Sequence, residues 1–151
     1  MILNTGLEVI ISSFVGAFAA QFLKFIFFVA KNKYINFKII TVTGGMPSSH
    51  SAFVVALTTS VSLVNGYRSV EFAIALGFAM IVMYDAAGLR RSAGRMAAVL
   101  NRVVDEIWEH KPSHPKEKLM ELLGHTPLEV LMGALLGIVI ALGYHNYLLG
   151  Q

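Results

Sequence analysis

Three short polar runs carry the residues best suited to chemistry. They are Gly44-Gly45-Met46-Pro47-Ser48-Ser49-His50-Ser51, the stretch from Tyr84 to Arg95, and Gly124-His125-Thr126-Pro127-Leu128-Glu129. The first has the makings of an anion site. Proline is favoured in a first helical turn, and glycine permits close backbone approach. The unpaired N–H groups and the dipole of a helix start attract phosphate. Ser48 and Ser49 add hydroxyl donors, and His50 is positioned to give a proton to a leaving oxygen. The same residues would equally build a well-capped helix start with an interfacial histidine.

His125 and Glu129 are four residues apart, which on a helix puts them on one face, where a carboxylate can orient an imidazole. An imidazole held in one tautomer is a nucleophile toward phosphorus. Thr126-x-x-Glu129 is also a capping box with Pro127 at the first helical position, which would turn Glu129 toward the backbone instead. The two roles are not exclusive. Asp85 lies near the end of an apolar run, where an ionisable residue is a functional candidate. Arg90, Arg91 and Arg95 follow it, with planar donor forks suited to phosphate or to anionic headgroups. Lys24 would either snorkel to the interface or line the same site.

The elements that position these residues are apolar. The chain has 151 residues, 56% hydrophobic and only 14% charged, with no cysteine. Its mean hydropathy is +0.66. Soluble domains carry about 25% charged residues, so a water-soluble monomer and a disordered chain are both excluded as first readings. Disulfide and thiolate chemistry is excluded outright. A net charge of +3 is too mild to point to nucleic acid.

The expected architecture is an all-α integral membrane protein of one domain, 1–151. It has about four transmembrane helices, over about 6–30, 47–64, 70–88 and 128–149. The segment 89–126 holds most of the charge. From Ser92 to Trp108 its apolar residues recur at helical spacing, which predicts an amphipathic helix lying on the membrane or against the bundle. Pro112 and Pro115 end it, and a second short helix is expected over Glu117 to Leu123. His110 and His114 read as loop residues. Gly133-x-x-x-Gly137 and Gly16-x-x-x-Ala20 predict close helix packing. His145 and Tyr147 fall near the opposite interface, too far from the polar runs to share their chemistry.

Ten of the twelve basic residues lie in the two connections that share one side of a four-span chain. The positive-inside rule puts that side in the cytoplasm and both termini outside. All three polar runs fall on the basic side.

Pro47-Ser48-Ser49-His50 resembles the Pro-Ser-Gly-His signature of the type 2 phosphatidic acid phosphatase superfamily, which includes the vanadium haloperoxidases. His125-x-x-x-Glu129 is similar to its later His-x-x-x-Asp signature. The chain looks most like the small divergent membrane branch of that superfamily. The carrying runs are Gly44 to His50, Tyr84 to Arg91, and Gly124 to Val130. The resemblance implies that His125 attacks phosphorus, Glu129 orients it and His50 protonates the leaving alcohol. It also implies that Ser48 and Ser49 hold phosphoryl oxygens, supported by Gly44, Gly45, Pro47 and Asp85.

The superfamily's Lys and Arg-Pro signature is absent, so the phosphate clamp falls to Arg90, Arg91 and Lys24. No metal and no cofactor is implied. The expected activity is hydrolysis of a lipid phosphate monoester or diphosphate in a bacterial cell membrane. Membrane lipids are the expected partners, and four short spans leave room for a homodimer. Two alternatives stand beside it: a catalytically degenerate protein that binds anions or lipid headgroups, and a small transporter or channel component.

Overall fold

Serine and threonine side chains set where the helices begin. In the computed structural model, which describes residues 2–35, 45–108 and 124–150, the chain forms five helices. They are α1 (Gly6–Asn32), α2 (Ser49–Asn65), α3 (Val70–Ala87), α4 (Leu89–Trp108) and α5 (Pro127–Leu149). Ser48 caps α2 by accepting the Ser51 N–H, and Ser69 caps α3 by accepting the Phe72 N–H at 3.1 Å. Thr126 and Glu129 form a complete capping box on α5, with Pro127 in its first turn. In α1 the cap residue Thr5 makes no such bond; the Glu8 carboxylate accepts the Asn4 N–H at 2.7 Å instead.

Two boundaries differ from expectation. Pro47 stands just ahead of the N-cap rather than in the first turn of α2, because Ser48 takes the cap. Gly88 does not stop the third span. Its φ and ψ of −105° and −76° stay in the helical region, its N–H reaches Tyr84 O, and the Ser92 N–H reaches back to Gly88 O. Helix therefore runs on from α3 into α4 with no loop between them. Among the described residues α4 packs against α3 alone, and Met96, Val99, Leu100, Val103 and Val104 are exposed. Packing of its apolar stripe on the bundle is thus not what the chain does. Gly44, the proline-flanked loop with His110 and His114, and the helix expected over 117–123 lie outside the described residues.

Among the described residues, three stretches are long and apolar enough to cross a membrane: Gly6–Asn32, Val70–Glu106 and Pro127–Leu149. The remaining apolar helix, α2, has 17 residues, at the short limit for a span. It is the central helix, packed by α1, α3 and α5. The interior is built of small residues. The buried apolar side chains are seven alanines and two valines, accompanied by Ser12, Ser13, Ser51, Thr58 and Ser60. The large ones, such as Phe18, Phe22, Ile74, Ile81 and Val139, point outward. Water would penalise that arrangement, whereas lipid does not distinguish a leucine outside from one inside, and close backbone packing then decides.

Glycine sets the closest of these contacts. A Cβ on Gly133 would sit 2.3 Å from the Ser48 carbonyl oxygen, and one on Gly137 2.6 Å from that of Ala52. On the other flank a Cβ on Gly16 would lie 3.1 Å from the same Ala52 oxygen. Helix α2 is thereby gripped between α1 and α5, backbone against backbone. Hydroxyls add cross-links: Ser60 to Ser12 at 2.9 Å, and Thr58 to the Ala75 carbonyl at 3.1 Å.

Replacing Gly133 by alanine should push α5 off α2 and cost about 1–3 kcal/mol, as overpacking does. Gly143→Ala, with nothing within 4 Å of its new Cβ, should be neutral or slightly stabilising. Thermal unfolding of both variants in detergent micelles measures the difference. Equal melting temperatures would refute the packing account.

Candidate active site

Two backbone hydrogen bonds bring the three polar runs together. The Ser48 N–H donates to the Glu129 carbonyl at 3.0 Å, joining the first run to the third. The His125 N–H donates to the Ala86 carbonyl at 3.2 Å, joining the third to the second. Residues from three separate stretches of chain thus converge at one end of the bundle, as their common side in the four-span topology anticipates.

His125 is 2% exposed and His50 is open to the surface. Their rings are 6.4 Å apart between centroids and inclined at 65°. The two imidazoles are thus neighbours, near enough to act on one phosphoryl group. His125 Nδ1 lies 3.2 Å from Glu129 Oε2. A carboxylate only accepts, so Nδ1 carries the proton and the other ring nitrogen keeps its lone pair.

The same Oε2 also accepts the Thr126 N–H at 3.1 Å, while the Glu129 N–H donates to Thr126 Oγ1 at 3.3 Å. The capping and orienting roles of Glu129 therefore coexist on one oxygen. Burial holds the imidazole below its usual pKa, against the hydrogen bond and charge of Glu129; the Lys24 charge adds to the depression, and a contact with the Gly45 backbone opposes it. The neutral ring is the form that can attack.

Lys24 is 5% exposed and reaches this end from α1. Its methylenes pass 3.6 Å from where a Gly45 Cβ would lie, and its ammonium is close enough for its charge to act on Glu129 and His125. It is not a snorkelling residue. Gly45, at φ +86°, takes a conformation that a side chain would strain.

Ser48 and Ser49 are both buried. The Ser48 hydroxyl is occupied as the α2 cap, taking the Ser51 N–H and, at 3.1 Å, the Ser51 hydroxyl. Asp85 is half-buried in the last turn of α3, beside the Ala86 that receives His125. For Arg90 and Arg91 only helical backbone is described, at the start of α4. Arg95 is exposed and its guanidinium donates to Ser92 Oγ at 3.2 Å.

A second polar cluster went unmarked in the sequence reading. At the far end of the bundle the fully buried Glu8 carboxylate pairs with His145 Nδ1 of α5. The available signal was the i, i+4 row Glu8, Ser12, Gly16, Ala20, Lys24, every member of which is buried.

The family profile described as "Divergent PAP2 family" matches residues 6–140. A curated protein of Bacillus subtilis (strain 168), "Uncharacterized membrane protein YuiD", is 44% identical over 144 residues, covering 88% of this chain and 90% of its own. No solved structure matches the chain.

Because the folded imidazole is harder to protonate than a free one, the stability that depends on it is complete above the ordinary imidazole range. It is lost as pH falls through that range, where the unfolded chain takes up a proton the folded site resists. Glu129→Gln removes the carboxylate that favours the charged ring, so the His125 pKa should fall further. Titration of the histidine ring by NMR in micelles reads this, and a rise would contradict the assigned roles.

Proposed function

Because the chain belongs to the divergent PAP2 family, we propose that it is a membrane phosphatase. It hydrolyses a lipid phosphate monoester or diphosphate through a phosphohistidine at His125. The observation that carries this reading is the facing pair His50 and His125, with Glu129 behind His125.

The unprotonated nitrogen of His125 attacks phosphorus and the bond from phosphorus to the alcohol oxygen breaks. His50, protonated, gives its proton to that oxygen. Water then cleaves the N–P bond with His50 as base, releasing phosphate and restoring His125. Lys24 and the N-terminal end of α2 offset the phosphoryl charge. Arg90 and Arg91, whose backbone starts α4, are the further candidates for the phosphate clamp. No metal enters the scheme.

The site faces the cytoplasm of a bacterial cell, and both termini face outside, since Lys31 and Lys33 end α1 on the site's side. A cysteine introduced at Arg68 should then react with an impermeant thiol reagent on intact cells. Labelling only after lysis would reverse the orientation. The buried row between Glu8 and Lys24 on α1 is Ser12, Gly16 and Ala20, with Gly16 packed on the α2 backbone and Ser12 bonded to Ser60, which weighs against an open transport path. A second reading, an anion-binding protein without turnover, draws support from Glu129, whose Oε2 also serves the α5 cap.

Purified protein should release phosphate from phosphatidate, phosphatidylglycerophosphate or a polyprenyl phosphate in mixed micelles. His125→Ala should abolish release, and His50→Ala should slow it by about 10²–10⁴-fold. Lys24→Met should chiefly raise KM. Vanadate binding without turnover of any of the three lipids would favour the second reading, and full activity in both histidine variants would end the first.

A further inference from the structure

Helices α1 and α5 run antiparallel, and each carries an acid toward its N-terminal end and a base toward its C-terminal end. Glu8 and Lys24 are sixteen residues apart on α1, and Glu129 and His145 are sixteen residues apart on α5. At about 1.5 Å per residue, each pair spans about 24 Å of helix. The two helices therefore match in charge at both ends. Lys24 meets the Glu129 and His125 pair at the candidate active site, and Glu8 meets His145 at the other face.

The far pair is closed. Glu8 is fully buried, one of its oxygens takes the Asn4 N–H and the other takes His145. With both oxygens occupied it has no room for a ligand. What it can do is mechanical. Glycine notches fit α1 and α5 each onto α2, and Ser60 bonds Ser12 between α2 and α1, while Glu8 and His145 tie α1 to α5 directly. A displacement of one turn, about 5.4 Å, would strand the Glu8 carboxylate and His145 in the apolar interior, which lipid cannot repair.

We propose that Glu8 and His145 are positioning residues: a buried cross-tie that sets the register of α1 against α5 and so holds Lys24 beside His125 and Glu129 at the opposite end. Buried polar pairs are best attested in such register roles, and replacing both members by apolar groups usually leaves a protein folded. The inference concerns geometry, so it stands or falls separately from phosphatase activity.

The chain has no native cysteine, so spin labels can be placed at two sites alone. Phe27 of α1 and Leu131 of α5 are both exposed near the active-site end. With Phe27→Cys and Leu131→Cys labelled in nanodiscs, dipolar electron-spin spectroscopy should give one narrow distance. Adding Glu8→Leu with His145→Phe should broaden it, or shift it by about 5 Å, while helicity by circular dichroism is kept. Exchanging the pair, Glu8→His with His145→Glu, should restore the narrow distance. An unchanged distribution in the apolar double variant overturns the proposal. If that variant does not fold, Glu8→Met, which has no oxygen acceptor, takes its place: broadening supports the tie, and an unchanged distance again overturns it.

Discussion

The hydrogen bond from the Ser48 N–H to the Glu129 carbonyl is the joint on which the active-site end is built. It forms only because Gly133, one turn along α5, lets the Ser48 carbonyl come closer than any Cβ would allow. That approach seats the start of α2 against the start of α5. Two helix starts, each with its own cap, then open toward the same place, and the histidines that follow Ser48 and precede Thr126 are brought face to face. The Ala86 carbonyl completes the arrangement by holding the His125 backbone to the end of α3. Main-chain atoms decide where these side chains stand.

That dependence on main-chain contact explains the odd composition of the interior. In water a bundle is held by large apolar side chains turned inward. Here the alanines, serines and glycines are inside and the phenylalanines and isoleucines are outside. With lipid as solvent, driving force comes from close approach and from polar ties, and both are concentrated on α2. It is the shortest of the apolar helices and the most heavily packed.

Much of this was legible in the residues. Four-span topology and the clustering of basic residues were enough to bring the three polar runs to one face. The Thr126 capping box and the paired glycines at 133 and 137 did what their spacing implies. Other features were hidden for identifiable reasons. Gly88 looks like a helix stop, yet glycine is permissive rather than terminating, and its dihedral angles here remain helical. Pro47 suits a first helical turn, but the serine after it is the stronger cap. Glu8 carries no motif of its own. Its actual partner is 137 residues away in sequence, a separation that no local pattern can express.

The unequal lengths of α1 and α2 carry a consequence for depth. With 17 residues α2 is about 26 Å long, shorter than the roughly 30 Å hydrocarbon core of a bilayer. With 27 residues α1 is about 40 Å long, and it continues eight residues, about 12 Å, beyond Lys24. On that stretch Ile26 and Phe27 are exposed. On the proposed reading, a phosphate carried on a lipid anchor would reach His50 at the start of so short a helix while its chains stay in the bilayer.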